Sequence, residues 1–213
     1  MRIIFFLVSC LFAHSLLAQQ TGSFTDPRDA QTYATIVAGG KIWMRENLRF
    51  QTATSYCPTF NSDPAACAKG NYYLNNESGK VCPPGWNLPT ISDWKAYIED
   101  LVRSGRLQRD SIQSKILKAP NNSNVVMLPG FNILTDTLLQ FTPIGWVEGN
   151  KVANADNISI WITDTVSNDD KYHIHLAPQG YVLHTHKHHV IDKPRKIRKF
   201  TMRCVCALSK NEN

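Results

Sequence analysis

Past its first eighteen residues, the 213-residue sequence has no histidine before residue 173 and no second apolar run approaching the ~20 residues that a membrane-spanning helix needs. It also lacks the short patterns that usually announce catalysis. There is no Gly-x-Ser-x-Gly elbow, no phosphate-cradling glycine loop and no His-Glu-x-x-His helix. These absences argue against an enzyme and against an integral helical membrane protein. Exposed aromatics interleaved with cations are missing too, which argues against nucleic-acid binding.

The opening "MRIIFFLVSCLFAHSLLA" places one cation (Arg2) before an apolar run that ends in a small residue, the pattern of a secretory signal. Cleavage after Ala18 leaves residues 19–213 as one exported domain of 195 residues (213 − 18), with formal charge +5 once Arg2 is removed from the total of +6. The alternative, a lipoprotein anchored at Cys10 of "LVSC", places its cysteine early and leaves an apolar tether behind it.

Export changes how the cysteines read. Five follow residue 18: Cys57, Cys67, Cys82, Cys204 and Cys206. An oxidising compartment favours disulfides, and five is odd, so one cysteine is left over. Cys57 and Cys67 flank "PTFNSDPAA" and are expected to close it. Cys204 and Cys206 stand at i and i+2 of a strand-like run, about 6.5 to 7 Å apart with parallel side-chain vectors, a poor geometry for mutual bonding. One of them is therefore expected to reach Cys82. Such a bridge spans ~120 residues and contributes about 3 to 5 kcal/mol in the loop-entropy account.

"QTYATIVAGGKIWMRENL" predicts two strands around Gly39-Gly40. The stretch from about 49 to 81 reads as loop, with "NYYLNN" its one strand-like piece. In "PTISDWKAYIEDLVRSGR", Thr90 and Asp93 have capping-box spacing, and Trp94, Tyr97, Ile98, Leu101 and Val102 recur on one helical face before Gly105. A second helix is expected over "DSIQSKILK", ended by Pro120. Short strand-like runs follow: "VVMLPGF", "LQFTPIGWV", "SIWITD", "YHIHL", "YVLHTH" and "KFTMRCVCAL". Early helices followed by many short strands predict an α+β fold.

"GSFTDPRDAQTY…GGKIWMRENL", "CPPGWNLPTISDW" and "FTMRCV" occur in an order and spacing that resemble the Fibrobacter succinogenes major paralogous domain of exported bacterial proteins. The resemblance covers nearly all of residues 19–213. It implies a C-type-lectin-like fold, with two helices packed on a small twisted antiparallel sheet and a long loop region. It also implies that Cys82 pairs with Cys204, leaving Cys206 over. It supplies no reaction. The glycan-binding signatures of calcium-dependent lectins are missing, with "WITD" at 161–164 only a distant echo. Formylglycine-generating enzymes use paired thiols on a lectin-like core, but a Cys204 committed to Cys82 removes that possibility. Trp43, Trp86, Trp94 and Trp161 read as core, and Glu46 and Asn47 as partners for loop backbone.

Two clusters carry the remaining chemistry. If Pro178-Gln179 form a two-residue turn, His173 faces His184, and His173, His175, His184 and His186 share one face of a ribbon. Opposed positions lie ~5 Å apart, within reach of a shared Zn, Cu or Ni ion. His188 and His189 are optional ligands, and Asp169 and Asp170 precede the hairpin. The bland alternative is a polar exposed face, and a one-residue slip would scatter the set. The second cluster, "KPRKIRK", offers Lys193, Arg195, Lys196, Arg198 and Lys199 to an anionic ligand or partner, or forms a solvated loop. The reading is therefore an exported cell-surface or extracellular binding and adhesion module for a glycan or surface protein. Its alternatives are an accessory subunit of an outer-membrane or surface complex and a transition-metal-binding surface protein.

Overall fold

A computed structural model describes residues 20–57, 64–74, 77, 80–105, 117–118, 124–127, 138–149, 151–156, 158–167, 170–177, 181–189 and 198–208. The segment 1–19, which includes Cys10, and the cations Lys193, Arg195 and Lys196 lie outside these residues. Three antiparallel sheets and one α-helix make up the described architecture, which is α+β.

The first sheet joins the two ends of the chain. Strands β1 (Thr21–Thr25), β2 (Thr32–Ala38) and β3 (Lys41–Met44) form a meander, and β12 (Val205–Ala207) adds itself to β3. The β2–β3 turn is Gly39-Gly40, with φ of 57° and 73°. Two successive left-handed residues give the turn whose twist matches the strands. Gly39 has a second duty. A Cβ there would lie 2.7 Å from the Tyr97 amide nitrogen, so only glycine lets the turn press on the helix. Its own N–H donates to the Asp100 carboxylate.

That helix, α1 (Ile91–Arg103), begins as its sequence indicates. The Thr90 hydroxyl accepts from the Asp93 N–H, and the Asp93 carboxylate accepts from the Thr90 N–H at 2.8 Å. Trp94, Tyr97, Ile98 and Leu101 are buried, with Val102 partly so. Their target is one cross-strand row: Ile36 opposes Trp43, which opposes Val205. Trp94 meets Trp43 edge-on, with ring centroids 4.9 Å apart, and the Trp43 Nε1–H donates to the Ala38 carbonyl at 2.8 Å. Trp86 is half-buried against Phe24. The side-chain surroundings of Trp161 lie outside the description.

The chain between α1 and the last strands builds the other two sheets. One runs β4 (Leu117–Lys118), β5 (Asn124–Met127), β10 (Tyr181–His189), β9 (Asp170–Ala177), β8 (Ile158–Ser167), in that spatial order. The other runs β11 (Arg198–Lys199), β6 (Trp146–Glu148), β7 (Lys151–Ala153). The helix expected over "DSIQSKILK" is corrected at its end, because Leu117 and Lys118 pair as a strand with Val125 and Asn124. A neighbouring strand supplies the ladder hydrogen bonds that local periodicity cannot anticipate. The rest of that stretch lies outside the described residues.

Ile158, Ile160 and Ile174 of the five-stranded sheet join Trp43, Trp94 and Leu101 in one core cluster. A second cluster gathers Tyr33, Met44, Leu48, Tyr73, Phe200, Met202 and Cys204 on the other side of the first sheet. Disulfides join Cys82 to Cys204 and Cys57 to Cys67, with Cα separations of 5.8 and 5.3 Å. Cys206, opposite Ile42 on β12, is in neither bridge.

Candidate functional site

The histidine hairpin forms, with a register that differs from the expected one. Ala177 opposes Tyr181, so three residues rather than two connect the strands and the pairing slips by one. An extra residue in β10 between Tyr181 and His184 slips it once more. Beyond that bulge His175 opposes His184, and His173 opposes His186. His173 does not face His184. One slip exchanges the faces of a strand and a second restores them, so all four histidines still share one face.

The neighbouring strands extend this face into two rows. Ser159 of β8, His175, His184 and Val125 of β5 form one row, and Trp161, His173 and His186 form the next. Ile160 and Ile174 oppose each other on the other face, which belongs to the core. His173 is itself buried, 2 % exposed, and its ring stacks on Phe200 at 4.3 Å and 10°. The polar face is therefore covered at this corner, contrary to a fully exposed ribbon. His188 opposes Lys171, while His189 opposes Asp170 on the apolar side of the sheet. Asp170 thus falls on the wrong face to support the four histidines. Asp169 lies outside the described residues. Among described residues, no three metal-ligating groups come together as a complete side-chain cluster.

Of the basic run, the two described cations are engaged within the chain. Arg198 reaches the Glu148 carboxylate at 3.3 Å and lies 5.9 Å from the Trp146 ring. Lys199 donates to the Thr54 carbonyl at 2.5 Å and stands 5.8 Å from the Tyr56 ring. Burial lowers the Lys199 ammonium pKa below its usual value, opposed by the nearby Glu77 charge.

The most elaborate polar constellation went unnoticed in the sequence. Arg203 is completely buried, and its guanidinium donates to the carbonyls of Leu139 and Gln140 and to the Asn47 side-chain oxygen. It also lies 4.6 Å over the Phe141 ring. Arg45 donates to the Leu138 carbonyl at 2.7 Å. Two arginines from opposite ends of the chain thus hold one backbone segment, 138–140. Asn47 continues the network by donating to the Lys69 carbonyl at 3.1 Å, and Glu46 accepts from the Ala34 N–H at 3.2 Å.

A third clip lies by the longer disulfide. The Arg28 guanidinium grips the buried Asp26 carboxylate at 2.7 to 3.2 Å, donates to the Cys82 carbonyl at 3.3 Å and covers the Phe50 ring at 3.8 Å. Burial works to raise the Asp26 pKa, but hydrogen bonds and charge from Arg28 outweigh it and hold the carboxyl below its usual range. The available signal was an arginine inside each of the recurring motifs: Arg28 in "DPRD", Arg45 in "MREN" and Arg203 in "FTMRCV". These arginines hold backbone carbonyls and one buried carboxylate, and so fix the frame of the fold.

No curated protein and no solved structure matches the chain. Residues 36–206, from β2 to the cysteine of β12, match the family model of the Fibrobacter succinogenes major domain. The match takes in the Gly39-Gly40 hairpin, α1, both disulfides and the paired arginine clamps, and the chain belongs to that family.

Proposed function

We propose that the protein is an exported binding module, held at the cell surface or released, that recognises a surface glycan or a surface protein through a C-type-lectin-like domain. The observation that carries this reading is the Cys82–Cys204 disulfide, which ties the last strand back across 122 residues. A bridge of that kind persists in oxidising compartments and is rare where thiols are kept reduced. The apolar first eighteen residues, read as a secretory signal, agree with it.

The arrangement of the ends supports the lectin-like placement. The first strands and the last strand share a sheet, α1 packs on it, and the chain between α1 and β11 is offered as a separate set of strands. Ligands in such designs meet the variable segments carried by a rigid frame. The search for ligand contacts therefore belongs in the region 136–190.

The test is fractionation and capture. The full chain, expressed in a didermic bacterium, is followed by cell fractionation and thiol labelling, then offered to an array of surface polysaccharides and to solubilised outer-membrane proteins. Accumulation outside the cytoplasm with Cys82 and Cys204 protected from labelling is expected, together with saturable binding on one of the two probes. Retention in the cytoplasm with both thiols labelled overturns the export reading. Saturable binding to neither probe overturns the binding reading.

A further inference from the structure

We infer that the β9–β10 ladder carries a transition-metal site centred on the His175–His184 pair, with His186 as a further ligand. This goes beyond the binding-module reading and stands independently of it. The carrying observation is the pairing itself: His175 opposes His184 and His173 opposes His186, in adjacent rows of one face. Directly opposed residues of an antiparallel pair hold their Cβ atoms about 4.5 to 5.5 Å apart. Residues two apart on one strand are about 6.5 to 7 Å apart. Metal–imidazole bonds of about 2.0 to 2.1 Å let groups at such spacing share one ion.

The observed register concentrates imidazole more closely than the expected one. With a two-residue turn, only His173 and His184 would oppose each other, and His175 would face Val182. The bulge in β10 instead opposes histidine to histidine twice in succession. The four positions belong to the face opposite Ile160 and Ile174, which pack in the first core cluster. His173 is set apart by its burial against Phe200. It anchors the covered corner of the face, which leaves His175 and His184 as the central pair and His186 diagonal to His175.

The chemistry selects the ion. Neutral imidazoles without a carboxylate at these register positions suit Zn²⁺, Ni²⁺ or Cu²⁺, whereas Ca²⁺ and Mg²⁺ take oxygen ligands. Lys171 opposes His188 in the next row, and its charge disfavours a cation there. The site is therefore bounded at that end, and neither His188 nor His189 belongs to it.

The experiment uses the full untagged chain, secreted and purified without chelator, and titrates it calorimetrically with zinc chloride and with nickel chloride. About one equivalent of Zn²⁺ is expected, with the unfolding temperature raised in its presence because binding favours the folded state. His175→Asn with His184→Asn is expected to weaken zinc binding at least about tenfold, and His188→Asn with His189→Asn to leave it unchanged. The unfolding temperature of each variant without metal separates loss of the site from loss of the fold. No uptake of zinc or nickel by the folded wild-type chain overturns the proposal. Equal damage from the His188/His189 variant overturns it as well, and shows histidine-rich polarity rather than a site.

Discussion

The sheet made from the two chain ends and the five-stranded sheet solve the same problem differently. The run from Phe200 to Val205 that leads into the last strand of the first sheet is buried at every residue, Arg203 included. No alternation of polar and apolar positions survives there, because the segment is covered on both sides, with Ile36, Trp43 and Val205 in one core and Met202 and Cys204 in the other. In the five-stranded sheet, one face of β8 and β9 contributes Ile160 and Ile174 to a core, and the positions of Ser159, Trp161, His173 and His175 lie on the other. The comparison separates a frame, where buried charge is spent on holding backbone, from a platform whose second face carries polar residues and is covered at its His173 corner.

Breaking the frame has the largest expected effect. Replacing Cys82 and Cys204 by alanine is expected to cost about 5 kcal/mol in the loop-entropy account, against about 3 kcal/mol for Cys57 and Cys67, whose bridge closes a far shorter loop. Denaturant midpoints of the two double variants check the order. Near-equal losses would mean that the long bridge does not define the frame.

Arg203 sharpens the contrast between buried and surface cations. Arg203→Met strands the Leu139 carbonyl and the Asn47 oxygen, and is expected to destabilise by about 2 to 4 kcal/mol. Arg198→Met removes a partly exposed ion pair with Glu148 and is expected to cost at most about 1 kcal/mol. Urea unfolding of both variants tests this. An Arg198 effect as large as that of Arg203 would erase the distinction.

The smallest predicted effect depends on pH. Burial raises the phenol pKa of Tyr72, with a smaller contribution from Tyr56, and burial likewise raises Tyr33 and Tyr73. A folded-state pKa above the unfolded value means the stabilisation is present below about pH 10 and is lost as pH rises further towards the folded value. Tyr72→Phe forfeits the hydrogen bond to the Ile144 carbonyl, worth about 1 kcal/mol at pH 7. Its deficit is expected to shrink at pH 11. An unchanged deficit, read by urea unfolding at the two pH values, would show that this phenol does not carry the alkaline sensitivity. Asp26 acts with the opposite sign. Its depressed pKa gives stability above about pH 4 that is lost as pH falls through the lower folded value.

Local features were legible before the fold was known. The Thr90–Asp93 box and the four buried positions of α1 depend on neighbours three and four residues away, and Gly39-Gly40 depends on itself. Motif residues such as Arg45, Asn47 and Arg203 hold backbone of the frame, but through partners far along the chain. The site was legible in composition but not in geometry. Six histidines within seventeen residues were plain, yet their pairing depended on one extra residue in β10, whose effect no pattern of polarity reveals.

The sequence by itself therefore determined the helix and its cap, the first hairpin, the strand-rich second half and the availability of cysteines for bridging. Tertiary structure alone decided that Leu117 and Lys118 pair as a strand, that Arg203 is buried under residues 138–141, and that His175 meets His184. The physical reason is range. Capping, turns and helical periodicity are settled within a few residues, whereas ladder register and the partner of a buried charge are settled by segments tens of residues away, which only the packed chain brings together.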